Sequence, residues 1–351
     1  MRRRSFNQIL ASAIAAALAP GIAHGKTPTQ LRAAAIQMQP KLADVEANLA
    51  QAEQLIHEAQ HRGADWIVLP EMFTTAAAFH TDMIRAIRPI DGAPAQLLRR
   101  MARAGHCTIG ASFLAVDRGK VFNSFLLVHP DGQMQRHDKD LPTYWENCVN
   151  VGGDDDGVLD TPIGPVGVAL CWELIRSQTA RRLVNKVRLA VGGSCWWTLP
   201  DDAPADHPLR ATNLAMLKQA PVDLARMLGV PVIHGSHAGP FAGFFSPELP
   251  DVPYDSSYLG EACIVDSQGG VKGSRSLAEG AGVVIADIEL PAAPQPGMPI
   301  PDRYWTPVDM PREWQESFER WFETGGDYYR EVTEHYLASG EIPEYLPPYM
   351  R

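Results

Sequence analysis

The strongest constraint on this chain is an alternation of short apolar runs with amphipathic stretches, broken in places where two apolar runs follow each other directly. LRAAAIQM at 31–38 has the length and apolar content of a buried strand. Residues 43–61 then place Val45, Leu49, Ala52, Ile56 and Ala59 at steps of four and three, which is one face of a helix. DWIVL at 65–69 predicts a second strand, stopped by Pro70-Glu71, and a helix is expected over 95–104. Strands are expected at 107–113 and 121–129 with no helix between them, then a Pro130-Asp131-Gly132 turn into a strand over 133–137. Residues 140–157 read as loop. The pattern continues with strands at 157–161 and 165–170, a helix from Glu173 to about Asn185, and a strand at 187–191. A helix at 209–228, a strand at 230–235 and strands joined by turns at 260–266, 272–276 and 283–288 complete it. Alternation with adjacent strands predicts an α/β chain built on a mixed sheet.

Composition narrows the function. The 351 residues are 45% hydrophobic, ample for a large core. Asp and Glu outnumber Lys and Arg by 41 to 31, a net charge of -10 that repels phosphate backbones and argues against a nucleic-acid partner. Cys107, Cys148, Cys171, Cys195 and Cys263 are odd in number and scattered, unlike a disulfide framework. No GxGxxG, Walker loop, GxSxG, HExxH or CxxC occurs, so the sequence implies neither a cofactor nor a metal. His234 and His237, in HGSH, read as loop or pocket-lining residues.

The two ends differ from the middle. MRRRSFNQILASAIAAALAPGIAHG opens with Arg2, Arg3 and Arg4, and its apolar run from Ile9 to Ala19 is too short for a permanent membrane span. Residues 1–25 have the layout of a signal peptide and resemble a twin-arginine signal, which predicts export to the periplasm. Residues 291–351 are rich in Pro, aromatics and acids, with Trp314, Phe318, Trp321 and Phe322 at helical spacing. This extension is expected to pack either on the main domain or on a partner subunit.

Glu71, Lys139 and Cys171 each stand at or just beyond the end of an apolar run. In open α/β sheets such positions line the crevice where ligands bind. Singly they read as a loop acid, a surface lysine and a buried thiol. Together, Leu69-Pro70-Glu71, Lys139 with Pro142-Thr143 and Glu146, and Gly167-x-x-x-Cys171-Trp172-Glu173 resemble the nitrilase (carbon–nitrogen hydrolase) superfamily. The opening AAIQMQP and the late segment GEACIVDSQGGVKGSRSLAEGAGVVIADIEL extend the resemblance over residues 31–290, within a domain at 26–290.

The resemblance implies a four-layer α-β-β-α sandwich, association as a homodimer or higher homo-oligomer, and a Glu71-Lys139-Cys171 triad. Such residue types fit the chemistry. A thiol becomes an effective nucleophile on losing its proton, and Glu71 is the base, provided its site is enclosed enough to raise its proton affinity. Lys139 and the backbone N–H of Trp172 would face the oxyanion. Glu146 is assigned to orienting Lys139 or the attacking water, or else is an acid on a mobile loop. Glu173 reads as a first-turn acid favourable to a helix dipole. Trp196 and Trp197 read as a substrate wall or as core. Cys195 would sit one strand beyond Cys171, without a base of its own. MFTTAAAFH after Glu71 lacks the Pro-Gly-Tyr-Pro of many nitrilases. A small-molecule amide or carbamoyl substrate is therefore expected first. A nitrile attacked through a thioimidate, N-acyl transfer and a catalytically silent binding protein are the alternatives.

Overall fold

The computed structural model describes residues 29–346; the expected signal segment 1–25 lies outside them. The chain runs β1 (Gln30–Met38), α1 (Val45–His61), β2 (Trp66–Val68), α2 (Asp82–Arg85), β3 (Arg88–Pro89) and α3 (Ala93–Gly105). Next come β4 (Thr108–Asp117), β5 (Lys120–Val128), β6 (Met134–Asp138), β7 (Val158–Leu159), β8 (Val166–Val168), α4 (Ser177–Leu183) and β9 (Leu189–Ser194). α5 (Pro208–Leu228) and β10 (Val232–Phe241) lead into β11 (Phe244–Ser246), β12 (Leu249–Pro253), β13 (Ser256–Val265), β14 (Val271–Ser276) and β15 (Gly282–Glu289). The tail forms α6 (Arg312–Tyr328) and α7 (Glu334–Ser339).

Side-chain alternation on β1 explains the layers. Leu31, Ala33 and Ala35 point into one core with Trp66, Val68, Val168, Val191 and Ile264, whereas Ala34, Ile36 and Met38 point into another with Ile56, Ala59, Leu98 and Met101 of α1 and α3. β1 also joins two half-sheets. Along Gln30–Gln37 it pairs antiparallel with β15, and only at Gln37–Ser236 and Met38–His237 does it pair with β10. One half runs β6-β5-β4-β2-β1-β15, the other β7-β8-β9-β10-β13-β14. The two halves face each other across the first core, α1 and α3 cover one outer face, and α4 and α5 cover the other through Leu183, Leu217 and Leu224. Parallel pairs (β1-β2, β2-β4, β8-β9, β9-β10) mix with antiparallel ones, as expected of a sheet whose strands are not all separated by helices.

The helix expected over 173–185 is interrupted. A 3-10 turn covers Cys171–Ile175, Arg176 is extended (φ -106°, ψ 127°), and α4 starts at Ser177. The break turns the fully buried Arg176 guanidinium onto Asp140 Oδ1 at 2.6 Å, with its Nε–H donating to Trp172 O at 3.2 Å. The loop expected at 140–157 likewise contains a 3-10 turn, Tyr144–Cys148.

The tail lies against its own chain. Phe318 of α6 is buried and stacked on Trp172, centroids 5.8 Å apart. Thr333 Oγ1 donates to Cys148 O at 2.7 Å, and Tyr329 Oη accepts from Val121 N–H at 3.1 Å. Gly325 meets Asn147 so closely that a Cβ there would lie 2.5 Å from the Asn147 Cβ. Among the described residues no helix is long and apolar enough to cross a membrane.

Candidate active site

β2, β6 and β8 end on the same side of the molecule and deliver Glu71, Lys139 and Cys171 to one place. Glu71 is fully buried and held from every side. Its Oε1 accepts from Lys139 Nζ at 2.8 Å and from Asn123 Nδ2 at 2.9 Å, and its Oε2 accepts from the Cys195 N–H at 3.0 Å. Its main-chain carbonyl accepts from His237 Nε2 at 2.8 Å and from the Cys195 thiol at 3.0 Å. The turn carrying Glu71 lies almost on the backbone of β9 and β10. A Cβ at Gly193 would come within 2.6 Å of Glu71 N, and one at Gly235 within 2.5 Å of the Leu69 carbonyl carbon. Glycine is required at both positions because the approaching atoms are backbone.

Lys139 is fully buried and its Nζ also donates to Glu146 Oε1 at 2.6 Å. Burial alone would favour loss of its proton, but the Glu146 and Glu71 carboxylates outweigh it and hold Lys139 as an ammonium ion. Glu146 is itself lifted to about 7 by burial, with Lys139 pulling it down and the Glu71 charge pushing it up. The place beside Lys139 expected for Glu146 is therefore the place it occupies, on a buried 3-10 turn rather than a mobile loop.

Cys171 has φ 50°, in the left-handed region where a side chain costs about 1–3 kcal/mol. The strain sits where the chain turns from β8 into the 3-10 segment. Burial and then the Glu71 carboxylate push the Cys171 thiol well above its usual range, which favours the protonated thiol. Cys171 and Trp172 line a cavity of about 460 Å³ with Tyr144, Trp145, Trp196 and Trp197. Trp196 and Trp197, read as a substrate wall or as core, both line this cavity. Trp197 stacks on Trp145 with centroids 4.5 Å apart, while Trp196 is mostly buried and donates its Nε1–H to Asn213 Oδ1 at 2.7 Å.

Two readings are corrected by the geometry. Glu173 is more than a helix-dipole acid. Its fully buried carboxylate accepts from Leu170 N–H at 2.8 Å, Asp140 N–H at 3.2 Å and Arg182 Nη2 at 2.6 Å, and lies 3.2 Å from His137 Nε2. It thus ties the backbone just after Lys139 to the backbone just before Cys171. Burial opposes its charge, but His137, Arg182 and Arg176 hold it well below the usual carboxylate range. His137 in turn is opposed by burial yet raised to about 9 by Glu173 and Asp155, the latter 2.5 Å from Nδ1. His234 and His237 are not pocket-lining. Both are buried within β10, His234 against Ser194 Oγ at 2.8 Å, and desolvation lowers each to about 4. Cys195 follows β9, one strand beyond Cys171; it does not line the cavity, and its N–H donates to Glu71 Oε2.

Asn123, His137 and Arg182 are site-supporting residues that single-residue reading passes over. Residues 32–295 match the family model described as Carbon-nitrogen hydrolase. The chain belongs to that family. A nitrilase of Pyrococcus abyssi is 30% identical over 185 residues, covering 52% of this chain and 70% of that protein. A cyanide hydratase of Stereum hirsutum is 26% identical over 208 residues, covering 53% of this chain and 55% of its own, and an omega-amidase of Xenopus laevis is 31% identical over 150 residues, covering 40% and 54%. The match to these two thus spans little more than half of their length. Among solved structures, the carbon-nitrogen hydrolase of Helicobacter pylori G27 superposes with a TM-score of 0.63 at 14% identity, covering 86% of this chain and 98% of that one. A CN-hydrolase superfamily protein of Xanthomonas campestris gives 0.59 at 18% identity, covering 75% and 91%. At these identities the likeness is one of fold, a mixed α/β architecture with a sheet-rich core flanked by helices.

Proposed function

We propose that this carbon–nitrogen hydrolase cleaves a small-molecule amide or carbamoyl C–N bond through a thioester on Cys171. The observation that carries this reading is that Cys171 lines an aromatic cavity and feels the charge of the Glu71 carboxylate, which is paired with Lys139 Nζ at 2.8 Å. Glu71 takes the Sγ proton as sulfur attacks the carbonyl carbon. The oxyanion that forms faces Lys139 Nζ and the Trp172 N–H. Collapse breaks the C–N bond, and the proton on Glu71 leaves with nitrogen as ammonia or an amine. Water then attacks the thioester, one proton returning through Glu71 to sulfur, and the carboxylic acid departs. Glu146 keeps Lys139 in place through these steps.

Nitrile hydrolysis by the same thiol is the second reading, supported by the 30% identity to the Pyrococcus nitrilase. It passes through a thioimidate and yields the acid and ammonia. An amide and nitrile panel assayed for ammonia decides between the two. Mass spectrometry after brief exposure to substrate should find the acyl group on Cys171, and Cys171→Ala should show neither adduct nor turnover. Undiminished turnover in that variant would sink both readings. Export is read from residues 1–25 and tested by fractionating cells that express the full chain. Assembly as a homodimer or higher homo-oligomer is tested by light scattering.

A further inference from the structure

One wall of the cavity comes from a part of the chain beyond residue 295, where the family match stops. α6 presents Trp314, Ser317 and Trp321 to the cavity at steps of three and four, with Arg320 beside them. Phe318, on the adjoining face, stacks on Trp172, so α6 is anchored one residue from the nucleophile. Tyr144 and Trp197 also line the space, with ring centroids 6.0 Å apart, and Tyr144 Oη donates to Trp314 O of α6 at 3.1 Å. A lining this rich in aromatic rings suits a flat ring, which gains both buried area and face or edge contacts. A plain aliphatic chain would gain the area alone.

Polarity along the cavity is uneven. Arg320 is solvent-exposed and, among the described residues, makes no ion pair or hydrogen bond. Glu248 also lines the space, its Oε1 accepting from Thr324 Oγ1 of α6 at 3.1 Å. A guanidinium offers a planar fork of donors that matches a carboxylate. We propose that α6 makes this a site for an aryl-bearing acyl donor whose far end carries a carboxylate. Its ring lies among Tyr144, Trp197, Trp314 and Trp321, its amide or nitrile carbon reaches Cys171, and its carboxylate meets Arg320. The reacting end of this assignment rests on the hydrolase reading above.

Binding separates the two. In the Cys171→Ala protein, tryptophan fluorescence reports the affinities of hexanamide, 3-phenylpropionamide and 3-(4-carboxyphenyl)propionamide. The aryl amide should bind more tightly than hexanamide, and the carboxylated aryl amide more tightly again by about fivefold, a margin that shrinks with added salt. Arg320→Gln should bring the ratio of the two aryl affinities close to one, and Arg320→Lys should retain part of it. Trp321→Ala should erase the preference for aryl over alkyl. Equal affinity for the two aryl probes, a ratio unmoved by Arg320→Gln, or no binding of any probe overturns the proposal. Wild-type protein that turns over no amide or nitrile overturns the hydrolase reading, while the affinities still decide the substrate assignment.

Discussion

Glu71 shows how a single side chain can be held so that only one task is left to it. Both carboxylate oxygens accept hydrogen bonds, from Lys139 and Asn123 on one and the Cys195 N–H on the other, and the remaining neighbour is the Cys171 thiol. Glu71→Gln preserves the shape but removes the proton acceptor. Its kcat should fall by about 10²–10⁴-fold, measured as ammonia release, with circular dichroism unchanged. The proposed Glu71-Lys139-Cys171 triad is legible in the sequence because Glu71 and Cys171 end apolar runs and the three come in the order the family uses. Glu173 is not, because its partners Arg182, His137 and Asp155 are separated from it in sequence and only the fold gathers them. A Glu at the third position of a short helical turn has an adequate local explanation, and that explanation hides the network.

Elements position the site through backbone contacts more than through side chains. Gly192-Gly193-Ser194 lies beyond the strand expected at 187–191, and in the fold it continues β9 and is a surface against which other strand ends rest. Ala169 O would lie 1.8 Å from a Cβ at Gly192, and Glu71 N 2.6 Å from one at Gly193. Gly193→Ala should therefore displace the Glu71 turn, lower kcat, and cost about 1–3 kcal/mol of stability in a denaturant titration. An alanine at solvent-exposed Gly297, which has nothing within 4 Å of its Cβ position and no left-handed φ, serves as the contrasting variant that leaves stability and kcat intact. The strand and helix periods are legible because each element buries one regular face. The break at Arg176 is not, since a 3.6-residue period cannot show that a guanidinium will leave the helix for Asp140. α6 is intermediate. Its aromatic spacing announces an amphipathic helix, but only the fold shows that the helix walls the cavity.

For the molecule as a whole, the charged network beneath the site sets a pH window. His137 rises from 6.5 to about 9 on folding, so its contribution to stability is complete below about 6.5 and is lost as pH climbs through about 9. Glu173 is depressed, so its contribution is present above about 4.5 and is lost as pH falls below that. The melting temperature should therefore decline between about pH 6.5 and 9, and His137→Gln should flatten that decline in a scanning-calorimetry series. A decline of equal size in the variant would show that the network does not govern it.

The main-chain anchoring of Glu71 to β9 and β10 also bears on how the protein responds to heat. Glu71 hangs on the Cys195 N–H just past β9 and on His237 within β10, at the seam where β10 meets β1 and the two half-sheets join. Warming cannot loosen Glu71 without opening that seam. A folded but silent form has no place on the melting curve, and turnover should disappear at the temperature where the sheets part.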